Sequence, residues 1–479
     1  MTLHWYFLFL VFLTSCYNTE AGTFSVDYTN HQFLKDGKPF RYISGSIHYM
    51  RVHPDQWNDR LQRIRALGLN AVQVYVPWNM QETFQGNYIN AVQNYYNVLL
   101  DVVKPLLYKN GGPILMVQVE NEYGYGPCDH KYTAFLRDLI WSKLGNDTVL
   151  YTSPNVCSEY WVDWYTQWGV KAPGAANPSQ VIDNINHMFI HWNASFNIYM
   201  IHGGTNFGFM AGADGNGGAP STTSYDYGAA IAENGDITPV YLAIRSYIQN
   251  ISGWEQPPLA IPSNNPASNY GQVPLKRVGT SLVSTLIQIQ EACSQSTDPL
   301  TFESIDHPYG FVLYTATLSA GGKTLVTPNI KDYGYVFVNN NYQGLHNNVT
   351  LDNTLLQNWF QCGINLTKPS VDSLISGSFN EDIEDVLPEK ATTAPGVYVG
   401  QFTASVLQDT FFDSTGWGKG VLFINGYNLG RYWPTVGPQI ALYIPKPYIQ
   451  QTNTVLLIEL VGAQQNYANF VDHAMFKNI

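Results

Sequence analysis

Pro113 to Gly126 reads PILMVQVENEYGYG, and the rest of the chain is organised around it. The apolar run Ile114 to Val119 has the composition of a strand buried on both faces. It stops abruptly at Glu120, Asn121, Glu122, Tyr123 and Gly124, which places two carboxylates and an amide where a buried strand reaches its loop. A parallel barrel carries its chemistry at that kind of position.

Moving N-terminally, Phe24 to Phe40 reads as a short hairpin turned by Asp36-Gly37. Arg41 to Tyr49 reads as a first barrel strand, with His48 and Tyr49 at its end; the spacing suits His48 to a structural hydrogen bond with a neighbouring strand. Pro54 to Leu67 has apolar residues at Trp57, Leu61, Ile64 and Leu67, a helical period stopped by Gly68. Asn70 to Val76 is a second strand that runs into Tyr75, Val76, Pro77, Trp78 and Asn79. Strand, helix, strand at these lengths makes a βαβ unit.

The pattern then falters twice. After Trp78 a βα barrel needs a helix and a third strand, yet QETFQGNYIN runs straight into the amphipathic helix Ala91 to Tyr108. Further on, the helix Lys131 to Leu144 and the strand Thr148 to Thr152 are followed by another apolar run, Val156 to Tyr160, after three residues. A parallel crossover takes a dozen or more. Either these pieces form one bent strand or a unit is missing there too.

An amphipathic stretch at Asn177 to His191 and a last strand at Phe196 to Ile201 open into HGGTNFGFMAGADGNGGAP. That segment lacks the Gly-Lys-Ser/Thr ending of a phosphate loop and reads as a long loop over the barrel mouth. TTSYDY (222–227) and the helix Pro239 to Ile251 close the region. Near Gln256 the character changes: PPLAIPSNNPASNYG is a Pro/Asn/Ser linker. Beyond it lie short strands at Gly310 to Leu318, Tyr335 to Val338, Val397 to Ala404, Gly420 to Ile424, Ala441 to Ile444 and Thr454 to Val461. They indicate one or two β-sandwich domains with no long helix.

The expected fold is therefore α/β plus all-β: an incomplete TIM-type barrel with about six of the eight strands such a barrel carries, then two β-sandwich or jelly-roll-like domains. The expected division is a signal peptide at 1–21, the shortened barrel at 22–256, and β-domains at 257–375 and 376–479. At 479 residues the chain is too long for one core. A hydrophobic content of 45% against 13% charged residues is that of a folded chain.

The net charge of -12 repels nucleic acid and anionic lipid, so neither is an expected partner. Aromatics at 14% suit stacking on sugar rings and sandwich cores alike. The apolar run Trp5 to Leu13 has signal-peptide length, and no later stretch is long enough to span a bilayer. Asn-X-Ser/Thr acceptors at Asn146, Asn193, Asn250, Asn348 and Asn365 agree with a secretory route. Cys16 leaves with a signal peptide. Cys128, Cys157, Cys293 and Cys362 remain, either unpaired or in one of three pairings.

Glycosidic hydrolysis needs a carboxylic acid to protonate the leaving oxygen and a carboxylate to trap the oxocarbenium-like centre, about 5 to 5.5 Å apart in retaining enzymes. Glu122 and Glu159 each sit at the end of an apolar strand among aromatics, in VENEYG and CSEYWVDWYTQWG. Held close, their like charges raise one pKa so that a protonated acid survives. The bland alternative is a strand-end Glu that caps a helix or pairs with Arg. Glu120, Glu122 and Asp129 could hold a metal, but no histidine lies at the i, i+4 spacing that would support it. No G-x-S-x-G elbow is present.

RYISGSIHY, NAVQVYVPWN, KPLLYKNGGP, QVENEYG, SEYWVDWYTQWG, YMIHGGTNFG, TSYDY and INGYNLGRYWP closely resemble the β-galactosidases of glycoside hydrolase family 35, of the animal lysosomal type. The resemblance runs from about Phe24 to the C-terminus. It implies a TIM barrel with two β-domains and retaining hydrolysis of terminal β-linked galactose from glycans, with no metal or organic cofactor. It implies a lysosomal or extracellular setting, and a homodimer is the expected assembly. By the same resemblance Glu122 is the acid/base and Glu159 the nucleophile. Tyr75, Asn121 and Tyr227 match galactose-contacting positions, and Trp164 and Tyr199 match nearby pocket-lining ones.

The departures fall where the strand count fails. Between the equivalents of Gly86 and Ala91 the family carries a helix, a strand and a loop whose glutamate contacts the sugar. Between the equivalents of Ser153 and Val156 it carries another helix and strand, with a cysteine that looks like the partner of Cys128. A shorter gap falls near Thr350 to Asp352. The irregularities look like omitted segments, as from exon skipping or a faulty gene model. A barrel that loses two strands is left with open edges or a re-paired ring.

Overall fold

A computed structural model describes residues 21–77, 88–123, 129–152, 157–213, 219–318, 321–322, 333–346, 356–380 and 394–477. The expected signal peptide, Trp78 and Asn79, Cys128, Val156, Asn348 and the gap near Thr350 lie outside these residues, apart from Ala21. After a three-stranded antiparallel meander, β1 (Phe24–Asp27), β2 (Gln32–Lys35) and β3 (Lys38–Phe40), the chain enters β4 (Ile43–Ile47), α1 (Trp57–Leu67) and β5 (Ala71–Val74). The meander turns at Asp36 and Gly37, both with left-handed backbone (φ 51° and 73°), as an Asp-Gly hairpin requires. There follow α2 (Tyr88–Val103), β6 (Met116–Gln118), α3 (His130–Leu144), β7 (Val149–Tyr151), β8 (Cys157–Trp161), α4 (Pro178–Asn186), β9 (Phe196–His202) and α5 (Pro239–Gln249).

Among the described residues this region has six parallel strands, divided between two sheets. One has the order β5-β4-β9-β8 and the other pairs β6 with β7. Among the described residues no ladder joins them. The breaks lie between β5 and β6 and between β7 and β8, the two places where the sequence runs short of a strand. β7 and β8 belong to different sheets, so Thr148 to Tyr160 is not one bent strand.

Each sheet has its own apolar core. Ile43, Ile47, Ile64, Leu67, Ile185, Phe196, Ile198 and Ile244 are buried around the larger sheet, and Leu100, Leu107, Val119, Leu136, Ile140 and Leu144 around the smaller. Every residue of β4 is buried, and a Cβ on Gly45 would lie 2.5 Å from Ile201 Cβ, so only glycine lets β4 and β9 approach this closely. At the open edge, Val72, Val74 and Val76 are 39%, 55% and 39% exposed. Among the described residues β5 pairs only with β4, so these valines lie on the apolar face of an edge strand.

The linker after Gln256 is irregular but held along α1: Leu259 N–H donates to Ala66 O, Arg65 to Pro257 O and Arg63 to Ser263 O. Beyond it lies a two-sheet sandwich. A five-stranded antiparallel sheet runs 276–278, 396–403, 452–459, 420–424, 427–432, and a four-stranded one 271–274, 467–471, 410–413, 441–444. Tyr398, Phe412, Trp417, Leu422, Leu457 and Phe470 fill the space between them.

Gly271–Pro274 pairs with Tyr467–Phe470 and Lys276–Val278 with Val397–Val399, both across the expected boundary at 375/376, which itself falls inside the helix Lys368–Asn380. That helix corrects the expectation of no long helix here. Its Val371, Leu374 and Ile375 pack on Val397, Val421 and Ile458, the outer face of the five-stranded sheet. A three-stranded sheet (290–296, 359–364, 312–315) carries the Cys293–Cys362 disulfide, and Cys157 is a free thiol.

Candidate active site

Beneath the C-terminal ends of the larger sheet lies a layer of buried polar side chains. Ser44 donates to Asn197 Oδ1 at 2.7 Å, and Asn197 Nδ2 donates to Ser46 Oγ at 2.6 Å and to Ser158 O at 2.8 Å. Three adjacent strands, β4, β9 and β8, are thereby registered by side chains as well as by backbone. Burial makes each such bond expensive to leave unmade. The Ser46 hydroxyl lies 3.3 Å from the Tyr75 hydroxyl, which also accepts from Gln73 Nε2 at 2.6 Å.

Tyr75 spends its own proton on Glu159, donating to Oε1 at 2.7 Å. Trp161 donates its indole N–H to the other oxygen, Oε2, at 3.2 Å. Glu159 is the third residue of β8, in the strand rather than at its end as expected. Burial first, and then the Glu159 charge, push the Tyr75 phenol far above the ordinary tyrosine range, so it remains a donor.

Around this pair stands an aromatic wall. Tyr199 packs on Tyr75 with ring centroids 6.0 Å apart and on Tyr227 at 5.2 Å, and Trp164 meets Tyr227 at 6.1 Å. Tyr225, which sequence reasoning left without a role, lies with its hydroxyl 3.0 Å from that of Tyr199. Tyr227 adopts left-handed backbone (φ 67°). Its loop is held from behind by the sandwich: Gln439 Oε1 accepts from Ser224 N–H at 2.9 Å, and Arg431 N–H donates to the Thr223 hydroxyl at 3.1 Å.

His48 is a support, as expected, but its hydrogen-bond partner is Arg51 of its own segment rather than a neighbouring strand. Burial and then the Arg51 charge hold it well below the ordinary histidine range, so its ring is neutral against Tyr75, Tyr199 and Tyr225. Arg51 also lies over the Tyr225 ring at 4.1 Å.

Asn121 and Glu122 follow β6 and so stand on the smaller sheet. Asn121 is exposed and accepts from Gln118 at 3.0 Å. Glu122 is half-buried with left-handed backbone (φ 57°). Its charge acts on Glu120, whose carboxyl is raised chiefly by burial and further by Glu122. The two sheets communicate through Tyr151 of β7, whose hydroxyl donates to Gln73 of β5 at 3.4 Å. Tyr151 is pushed up to about 12 by burial and by Glu159. The structure thus gathers Glu159, Tyr75, Tyr199, Tyr227 and Trp164 into one cluster, with Asn121 and Glu122 across the break between sheets. Among the described residues no group of three or more His, Cys, Asp or Glu is placed to hold a metal ion.

A carboxylate fixed by two donors inside an aromatic wall is the equipment of a protein that acts on carbohydrate. The model of glycosyl hydrolases family 35 matches residues 32–89, 83–153 and 151–251, its two junctions falling at the two breaks between sheets. The models of the β-galactosidase first all-beta domain and galactose-binding domain match 299–348 and 395–454.

The chain is 31% identical to a β-galactosidase of Canis lupus familiaris over 605 aligned positions, covering 93% of this chain and 90% of the relative. It is 30% identical to that of Homo sapiens (93% and 88%) and to a β-galactosidase-1-like protein of Mus musculus (95% and 92%). Alignments longer than the chain's 479 residues mean that the relatives carry internal residues it lacks. This chain belongs to glycosyl hydrolases family 35.

Proposed function

We propose that this chain is a retaining β-galactosidase, hydrolysing terminal non-reducing β-D-galactose from glycoconjugates in a lysosomal or extracellular setting. Glu159 attacks the anomeric carbon while Glu122 protonates the departing oxygen. Glu122 then takes a proton from water, which attacks the galactosyl–Glu159 ester and frees galactose. Tyr75 and Trp161 orient the nucleophile. Tyr227, Tyr199, Trp164 and Asn121 line the sugar site. No step uses a metal or organic cofactor.

The observation that carries this reading is the 2.7 Å bond from Tyr75 to Glu159, within the wall formed by Tyr199 and Tyr227. The test is galactose release from a chromogenic β-galactoside by the full chain. Release that disappears in Glu159→Gln supports the reading, and release that survives it removes Glu159 from the mechanism.

A second reading, a family member that binds β-galactosides without cleaving them, is favoured by one observation: the proposed acid/base and nucleophile stand on two sheets that no backbone ladder joins among the described residues. Saturable binding of β-galactoside with no release of galactose would select it.

A further inference from the structure

Far from the tyrosine cluster, α4 ends in a π-helical turn, His187–His191, which leads directly into Trp192 and Asn193. Trp192 is 64% exposed and Ile190 58%, an apolar pair on the surface beside an Asn-Ala-Ser acceptor. The Trp192 indole is propped edge-on against His187, ring centroids 4.9 Å apart. The turn is closed by Trp192 N–H to His187 O at 3.1 Å and Ala194 N–H to Met188 O at 3.0 Å. Asn193 itself has left-handed backbone, φ 51°.

Asn193 differs from other acceptors in how its amide is used. Arg41 Nη1 donates to Asn193 Oδ1 at 2.7 Å, while the guanidinium lies 3.7 Å over the Phe189 ring. The amide is thereby anchored through its oxygen. At Asn250 and Asn365 it is Nδ2 that is committed, to Ser246 O at 2.8 Å and to Glu291 Oε2 at 2.6 Å.

From this arrangement we infer that Asn193 is an N-glycosylation site whose first sugar covers Trp192. The proposal rests on the secretory route that the proposed function assumes. A C–N bond forms between Asn193 Nδ2 and the anomeric carbon of an oligosaccharide carried on a lipid diphosphate. The C–O bond to the diphosphate breaks, the diphosphate departs with the electron pair, and one amide proton passes to the transferase's base. Arg41 keeps its acceptor, because Oδ1 takes no part. The apolar face of the attached N-acetylhexosamine then lies within reach of the preceding indole and withdraws an exposed aromatic from water.

The test uses the full chain expressed in secreting animal cells, with peptides mapped by mass spectrometry before and after peptide N-glycosidase treatment. Trp192 is then oxidised by hydroxyl radicals in the intact and deglycosylated proteins. Expected are a glycan on Asn193 and Trp192 oxidation that rises severalfold once it is removed. An unmodified Asn193 with glycan at Asn146 or Asn250 overturns the proposal alone. Absence of glycan from every acceptor overturns it together with the secretory route. Trp192 protection unchanged by deglycosylation, or growing with protein concentration, places something else on the indole, a second copy in the latter case, and equally overturns it.

Discussion

The Tyr75 hydroxyl donates to Glu159 Oε1 at 2.7 Å, although Tyr75 follows β5 and Glu159 belongs to β8, the opposite edges of the four-stranded sheet. The bond spans the mouth of the sheet across β4 and β9, and the Ser44–Asn197–Ser46 layer below keeps those strands in place. A hydrogen bond to a charged oxygen contributes about 1.5–3 kcal/mol. Tyr75→Phe is therefore expected to lower kcat for an aryl β-galactoside roughly 10- to 100-fold, and to lower the melting temperature as well because Gln73 and Ser46 lose the same hydroxyl. Steady-state kinetics check it; an unaltered kcat would mean that Glu159 needs no such anchor.

Trp161 supplies the second donor to Glu159, at 3.2 Å and from a side chain 44% exposed. A longer bond in a wetter place is weaker. Trp161→Phe keeps an aromatic ring beside Trp164 and loses only the N–H, so the expected fall in kcat is smaller than for Tyr75→Phe, about 3- to 10-fold. The ranking of the two variants is what the kinetics read. A larger effect at Trp161 would reverse the roles assigned to the two donors.

Glu233 is fully enclosed behind the loop that presents Tyr225 and Tyr227. The Thr205 hydroxyl donates to its carboxylate at 2.6 Å, and its own N–H donates to the buried Asp226 carboxylate at 2.7 Å. Burial, with a smaller contribution from Asp226, pushes the Glu233 carboxyl up to about 7. Because the folded value exceeds the unfolded one, the folded protein holds a proton that the unfolded chain gives up. The stabilisation is complete below the unfolded carboxyl value and is lost as pH climbs through about 7. It amounts to on the order of 3 kcal/mol. Thermal melts from pH 4 to 8 should show stability declining toward neutrality, and Glu233→Gln should flatten that decline. A variant with the wild-type profile would assign the pH dependence elsewhere.

Much of this was legible in the sequence, and the rest was hidden for identifiable reasons. Apolar periodicity located α1, α3, α5 and the strands Gly420–Ile424 and Ala441–Ile444, because burial imposes the period directly. The two places where strands ran short became the two breaks between sheets. Lys368–Asn380 escaped because its Ser and Gly content masks the Val371, Leu374, Ile375 face. Ser46, Asn197 and Tyr225 gave no signal: a buried serine or asparagine acquires meaning only once neighbouring strands converge on it. The Gly271–Pro274 pairing with Tyr467–Val471 is a long-range contact that no local pattern encodes.

The open edge at β5 makes its own prediction. Val74, 55% exposed between Val72 and Val76, sits on a strand that among the described residues has a neighbour on one side only. Such an edge is a template for pairing with another chain. Val74→Lys should leave the melting temperature close to that of the parent and reduce association seen by sedimentation velocity. A variant that associates as the parent does would mean that this edge makes no contact between chains.

The proposed double displacement requires Glu159 and Glu122 to act on one anomeric carbon although they stand on separate sheets. The most direct measurement is mass spectrometry of the full chain after incubation with an activated 2-deoxy-2-fluoro-β-galactoside, which slows breakdown of a galactosyl ester. The expected result is a single covalent sugar on Glu159, in the peptide containing Cys157–Trp161, absent from Glu159→Gln and formed more slowly from an unactivated glycoside in Glu122→Gln. A chain that binds the glycoside yet remains unlabelled, or carries the sugar on a residue other than Glu159, would rule out Glu159 as the nucleophile.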